Sequence, residues 1–181
     1  EHPVTEEVTG VDLVREQFRI AAGHGPSFTS TPEPRGHAFE FRINAEDPGR
    51  GFLPSPALVT ALGVPGGPGV RWDSGIEARD AVQPAFDSMI AKLIVHADDR
   101  DAALVRARRA LRELWIEGPA TVVPFDRLAV DQPEFATETF GVHTQWIEST
   151  LFPRLEPQLR PAPLEDAGMQ RFGVEIDGKR V

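Results

Sequence analysis

The chain has 181 residues, 40% of them apolar, with a formal net charge of −9, a sequence pI near 5.0 and no cysteine. That length suits one ordinary domain of about 100–150 residues plus attached ends, and the lack of cysteine excludes disulfide frameworks, thiolate nucleophiles and cysteine-ligated metals. The acidic balance argues against a nucleic-acid or anionic-membrane surface, no run approaches the roughly 18–20 apolar residues of a membrane span, and a soluble, cytoplasmic protein is the expectation.

Val11, Val14, Phe18 and Ala21 recur at helical spacing, with Thr9 as N-cap and Gly23 as stop, which predicts a helix over 11–22. Its apolar stripe is expected to lean on sequence outside this chain. Residues 24–34, rich in Gly, Pro, Ser and Thr, read as a loop and a subdomain boundary. From His37 to Ile43 the period is two, so His37, Phe39, Phe41 and Ile43 share one face while Ala38, Glu40 and Arg42 share the other. An arginine between Phe41 and Ile43 does nothing for a strand that needs only burial. It points to chemistry, against the plainer reading of a structural partner for Glu40.

Up to about residue 86 the sequence is broken by Pro48, Pro54, Pro56, Pro65, Pro68 and Pro84, which predicts short antiparallel strands near 59–64, 69–72 and 81–83. Met89 to His96, with Lys92 as its one charge, predicts a central strand. A helix over about 99–117 should follow, capped by Asp98 or Asp99 and ended by Gly118. Leu104, Ala107, Leu111, Leu114 and Trp115 would form its buried stripe, and Arg106, Arg108, Arg109 and Arg112 a solvated face. Further helices are expected over 122–130, with Pro124 in the first turn, and over 144–151. Residues 153–167 read as a linker. A strand over 172–176, an Asp177-Gly178 turn and a return strand to Val181 read as a hairpin. With Glu at position 1, the whole reads as an excerpt of a longer polypeptide.

The histidines His2, His24, His37 and His96 have no metal-like spacing. Asp87-Ser88 has no histidine nearby to suggest a hydrolase triad. Gly66-Gly67-Pro68-Gly69 lacks the lysine of a phosphate loop and reads as a turn.

Several linked blocks carry a resemblance: Glu1-His-Pro-Val-Thr-Glu6, Thr9-Gly-Val-Asp-Leu13, Gln17, Arg19-Ile-Ala-Ala-Gly23, Arg42-Ile-Asn-Ala-Glu-Asp-Pro48, Phe52-Leu-Pro-Ser-Pro56, Asp87-Ser-Met89 and Lys92-Leu93. In this order they resemble the C-terminal part of biotin carboxylase, over residues 1 to about 150. Thr121-Val-Val-Pro-Phe125 and Val142-His-Thr-Gln-Trp-Ile-Glu148 are similar to the α chains of actinobacterial acyl-CoA carboxylases. The resemblance implies an α+β fold: a biotin carboxylase C-terminal domain of antiparallel strands and packed helices over 35–150, preceded by the tail of an ATP-grasp domain over 1–34. Residues 151–181 would then be a linker toward a biotinyl carrier domain.

The implied activity is that of a ligase that carboxylates carrier-bound biotin with ATP and bicarbonate, the first half-reaction of acetyl- or propionyl-CoA carboxylase. The reaction needs a base for bicarbonate and a stabiliser for the charge on the ureido oxygen of biotin. By resemblance Glu1 is the base and Arg42 the oxyanion holder, Asp87 lies beside the biotin site, and Val142 and His143 line the adenine pocket. Biotin, ATP and Mg2+ are the implied cofactors, the metal ligands lying mostly upstream, so the 181 residues alone should be inactive. The implied partners are a biotinyl carrier domain and a carboxyltransferase β subunit. A homodimer around Gly66–Gly69 and Arg71 is implied too, where Pro68 replaces an aromatic residue of bacterial homodimers. Two alternatives stay open: the same domain in pyruvate carboxylase or another biotin-dependent enzyme, and a non-catalytic dimerisation or carrier-docking module.

Overall fold

Two helices open the chain where one is expected: α1, Pro3–Thr9, and α2, Leu13–Ala21. The computed structural model describes residues 3–137 and 139–159, and the backbone of 175–176 and 179–180. Thr9 ends α1 instead of capping α2. Gly10 turns the backbone to a φ of 72°, which other residues adopt at a cost, and Asp12 becomes the cap by accepting from Arg15 N at 2.9 Å. The apolar residues of α2 point outward as expected, with Phe18 74% exposed.

The alternating segment forms β1, His37–Asn44. A tight corner follows, with β2 (Glu46–Asp47) paired to β3 (Leu53–Pro54). Of the three short strands expected next, 59–64 shrinks to β4, Ala61–Gly63, and 69–72 becomes β5, Val70–Ser74. The third, 81–83, is reduced to a single bridge between Leu58 and Ala81. Pro84 has no N–H with which to extend a ladder. Met89–Ala97 is β6, and it is central: β1 and β5 both pair with it in an antiparallel sheet ordered β1-β6-β5.

α3, Arg100–Glu113, is capped by Asp99, which accepts from Ala102 N at 2.8 Å. Its buried stripe of Leu104, Ala107 and Leu111, continued by Leu114, packs with Phe41, Ile43, Leu93 and Val95 of the sheet into the main core. Each of these side chains other than Ala107 stabilises the fold by about 1.5–3 kcal/mol through burial. Trp115 does not belong to this stripe and Gly118 does not end the helix. Leu114 is already extended, and Trp115, 48% exposed, opens β7 (Trp115–Glu117), which pairs with β4. Gly118 has φ 114° and its backbone meets the Leu58 carbonyl, leaving no room for a Cβ. The arginines of α3 are also not simply solvated. Arg106 donates to His96 O, Arg108 to Asp131 and Val130 O, and Arg109 to Glu113 and Gly66 O.

α4, Val123–Val130, matches the expected helix, with Pro124 in its first turn. Arg127 on α4 donates to Leu111 O and Leu114 O at 2.8 and 2.7 Å, satisfying carbonyls at the end of α3. A short α5, Pro133–Ala136, comes next. Where a helix over 144–151 is expected, the chain makes a π-helical turn over Ile147–Leu151 and a 3-10 turn over Phe152–Arg154. Ser149 Oγ donates back to Gln145 O at 2.8 Å, the kind of competing bond that loosens a regular helix.

Residues 153–159 pack on the body although their composition reads as a linker. Arg154 donates to Gln132 Oε1, and Gln158 donates to Thr121 O at 2.7 Å and to Asp47. Near the end, β8 (Glu175–Ile176) and β9 (Lys179–Arg180) pair antiparallel as the hairpin reading expects, with Asp177 and Gly178 outside the described residues. Among the described residues no helix is long and apolar enough to cross a membrane.

Candidate functional site

Facing residues of an antiparallel pair share one side of the sheet. The side opposite α3 therefore carries Glu40 and Arg42 of β1, Lys92 and His96 of β6, and Arg71 and Asp73 of β5. α1 lies over this side. Arg71 fastens it there, donating to Glu6 at 2.9 Å and Glu7 at 3.3 Å while gripping both oxygens of Asp73. The Asp73 carboxylate first, then Glu6 and Glu7, hold the Arg71 pKa above its ordinary value against partial desolvation.

Arg42 is exposed at one end of this face. Its Nε approaches Met89 Sδ at 3.4 Å, and no other protein partner of its guanidinium is found among the described residues. It makes no ion pair with Glu40 among the described residues, so the structural-partner reading finds no contact to support it. A guanidinium with open donors stays charged at all relevant pH and suits a planar oxyanion.

The register between β1 and β6 shifts after Ile43, so that Asn44 faces Met89. Asp87 forms a tight turn beside this shift, accepting from Met89 N at 2.8 Å. Glu46 closes the corner, with one oxygen accepting from both Ser88 Oγ and Asn44 Nδ2. Arg42 and Asp87 are thus brought to the same end of the sheet through Met89. Asp87 and Ser88 also line a cleft of about 300 Å³ with Phe86, Pro54, Pro56 and Val82. Glu46, Ser88 and Met89 lie in the blocks that carry the resemblance, but sequence reasoning assigns them no role. Polar residues in proline-rich turns carry no periodic signal, and Met89 reads only as the start of an apolar run.

Val142 and His143 belong elsewhere. Val142 packs against the small cluster of Ala129, Trp146 and Leu151. His143 is exposed, and its Nδ1 accepts from Gln145 N at 3.3 Å. Glu1 lies outside the described residues. Among the described residues no group of three His, Cys, Asp or Glu side chains is placed to hold a metal ion.

Two family models match the chain: the biotin carboxylase C-terminal domain over residues 40–149, and the ATP binding domain of the carbamoyl-phosphate synthase L chain over residues 1–27. The chain is 50% identical over 186 aligned residues to the biotin-dependent acyl-coenzyme A carboxylase alpha3 subunit of Mycobacterium leprae, covering all of this chain and 31% of that one. It is 50% identical over 144 residues to the biotin carboxylase of Haemophilus influenzae, covering 79% of this chain and 32% of the relative. Among solved structures it resembles the biotin carboxylase domain dimer of Hydrogenobacter thermophilus 2-oxoglutarate carboxylase, in complex with MgADP, ADP and bicarbonate. That match has a TM-score of 0.77 and 39% identity, over 82% of this chain and 32% of that one. The chain therefore spans about a third of the length of these relatives. Family match, identity and antiparallel α+β fold agree, and the chain belongs to the biotin carboxylase C-terminal domain family.

Proposed function

We propose that this chain is the C-terminal part of a biotin carboxylase, a ligase that carboxylates carrier-bound biotin with ATP and bicarbonate in an acyl-CoA carboxylase. The observation that carries the reading is Arg42, an exposed guanidinium with open donors, at the end of the sheet where Met89 links it to Asp87 and the cleft that Asp87 lines, in a chain of this family. Arg42 holds the bicarbonate anion and then the oxyanion that develops on the ureido group, where fixed positive charge is worth most. Asp87 borders the biotin pocket. Glu1 is the base for bicarbonate; in support, it directly precedes the segment that forms α1, which Arg71 fastens to Arg42's side of the sheet. Val142 and His143 line the adenine pocket.

Biotin, ATP and Mg2+ are the proposed cofactors, with ATP supplying the phosphoryl group that activates bicarbonate. The donors of Arg42 fit an anionic substrate oxygen. By the resemblance to biotin carboxylase, the magnesium ligands are assigned mostly to the part of the enzyme that precedes this segment. The proposed boundaries are 1–34 for the tail of the ATP-grasp domain, 35–150 for the C-terminal domain and 151–181 for the approach to the carrier domain. The proposed partners are a biotinyl carrier domain and a carboxyltransferase β subunit. A homodimer is supported by the dimer described for the Hydrogenobacter thermophilus relative. The acyl-CoA assignment over pyruvate carboxylase is favoured because the match to the Mycobacterium leprae acyl-coenzyme A carboxylase chain covers all of this one, against 79% for the match to a pyruvate carboxylase chain of Methanothermobacter thermautotrophicus.

The test is biotin-dependent, bicarbonate-stimulated ADP release by a polypeptide carrying this segment with the rest of the biotin carboxylase length. Arg42→Ala and Glu1→Gln should each lower turnover by about 10²–10³, as loss of an oxyanion donor does elsewhere, with folding intact. Unchanged turnover in Arg42→Ala would refute the site and favour a docking module. The 181-residue chain alone should not cleave ATP.

A further inference from the structure

Every polar group of Gln158 is bonded to one of two segments far from it in the sequence. Its backbone N–H donates to both carboxylate oxygens of Asp47, at 3.3 and 3.2 Å, and its carbonyl accepts from Arg50 at 2.7 Å. Its side-chain amide pairs with the backbone of Thr121, accepting from the N–H at 3.3 Å and donating to the carbonyl at 2.7 Å. The strap that carries it, residues 153–159, lies so close to the Asp47 turn that a Cβ on Gly49 would run into the backbone of Glu156 and Pro157. Gln158 lies beyond residues 40–149, the part matched by the C-terminal domain family, so these bonds come from chain outside that match. Both segments that it joins border the cleft at Asp87. Val122 N donates to Asn44 O at 3.1 Å, and Ala120 N to Ser55 Oγ at 2.9 Å. Between those contacts, Ala45 N donates to Ser88 O at 2.7 Å and Ser55 N to Ala45 O at 2.8 Å. Ala45, Pro54 and Pro56 thereby form one wall of the cleft of about 300 Å³ that Asp87 and Ser88 line. Without Gln158 the Asp47 carboxylate keeps Gly49 N and Arg50, so the turn survives while its link to Thr121 is lost.

We propose that Gln158 is a positioning residue for the biotin cleft: it clasps the Asp47 turn to Thr121 and so holds Ala45, Pro54 and Pro56 in the shape that receives biotin. The inference rests on the biotin carboxylase reading, which puts biotin beside Asp87, and adds a residue of the strap to that site. Gln158 touches no reacting group. It acts by ordering the wall before biotin arrives, so that binding does not have to supply the ordering.

The experiment uses a polypeptide that carries this whole chain with the rest of the biotin carboxylase length, and free biotin as the probe. Wild type, Gln158→Ala and Gly49→Ala are compared in biotin-dependent, bicarbonate-stimulated ADP release. Gln158→Ala should raise the free-biotin KM about fivefold, the effect of losing roughly one net hydrogen bond, and leave the ATP KM unchanged. Gly49→Ala keeps Gln158 but pushes the strap away from the turn, and should raise the biotin KM in the same way. Amide hydrogen exchange should quicken at Ala45 and Ser55 in both variants and stay slow inside β6. If Gln158→Ala misfolds by circular dichroism, Gln158→Met, which keeps the length of the side chain and the backbone bonds, carries the same comparison. An unchanged biotin KM in active variants would overturn this inference alone. A parallel rise in the ATP KM would also overturn it, in favour of a general structural role. Wild type without biotin-dependent ADP release would overturn the underlying reading as well.

Discussion

Asp126 lies in the first turn of α4, where the helix dipole favours a carboxylate, yet it is buried and its Oδ2 has no hydrogen-bond partner among the described residues. Burial pushes its carboxyl well above the ordinary range, and no neighbouring charge contributes. The adjacent Arg127 gives no help, because its guanidinium is committed to the carbonyls of Leu111 and Leu114. The native state therefore holds the Asp126 proton more tightly than the unfolded chain, whose aspartates titrate near pH ~3.9. Below that pH both states are protonated and the favourable contribution is fully present. As pH rises from there through the folded-state pKa, stability falls by up to about 1.4 kcal/mol per pH unit and then levels off. Asp126→Asn is nearly isosteric and does not titrate, so its advantage over wild type should be small in acid and grow with pH across that window. Urea unfolding of the chain at a series of pH values, followed by tryptophan fluorescence, measures both curves. Parallel curves for wild type and Asp126→Asn would refute the argument, since they would mean that the carboxylate is solvated or paired.

Other outcomes follow from the packing. Leu93 is fully buried in the central strand against α3, so Leu93→Ala should cost about 2–5 kcal/mol in urea unfolding. Arg71→Ala should free α1. Because the Arg71 side chain is 37% exposed, the three ion pairs together are worth only about 1 kcal/mol after solvent screening, and hydrogen exchange should quicken in α1 but not in β6. Arg100 donates to the carbonyls of Phe135 and Ala136 and lies 5.5–5.7 Å from the ring centroids of Phe39, Phe135 and Phe140. Arg100→Ala should cost about 1–3 kcal/mol and loosen α5, read as a lower urea midpoint and faster exchange there.

The sheet is legible in the sequence because its signals are local. The alternation of residues 37–43 fixes which side chains go inward, the apolar run from Met89 reads as a buried central strand, and of the two candidate caps Asp98 and Asp99 the structure uses Asp99. Trp115 misleads for a physical reason. Helical spacing continues one residue too far in the sequence, but pairing with Gly63 on β4 draws Trp115 out of α3 into a strand. Tertiary pairing overrides propensity at such a junction. The turn after Gln145 is hidden in the same way, since nothing in the pattern of apolar residues reveals that Ser149 bonds back to the chain. Arg42 is conspicuous only because it breaks an apolar pattern. Glu46 and Ser88, which fix the corner beside it, lie in proline-rich turns where composition predicts irregularity without saying which contacts it makes.

The motif around Arg42 divides its labour in a way that bears on how loss of activity should be read. Asp47 is buried, accepting from Gly49 N, Arg50 and the Gln158 backbone, while Ser55 Oγ accepts from Ala120 N at 2.9 Å. These two residues spend their polar atoms on the protein's own turns, so their removal leaves buried partners unsatisfied and acts on folding. Arg42 spends almost none of its polar atoms on the fold, since its only side-chain hydrogen bond among the described residues is one weak approach to Met89 Sδ. A residue with that many donors and so little structural employment is free to bind a ligand, and its loss should therefore separate chemistry from stability. The same reasoning separates Arg42 from Arg71 on the same face, whose donors are already taken by Glu6, Glu7 and Asp73. Of these two arginines, Arg71 holds α1 to the sheet and Arg42 remains open to an anion.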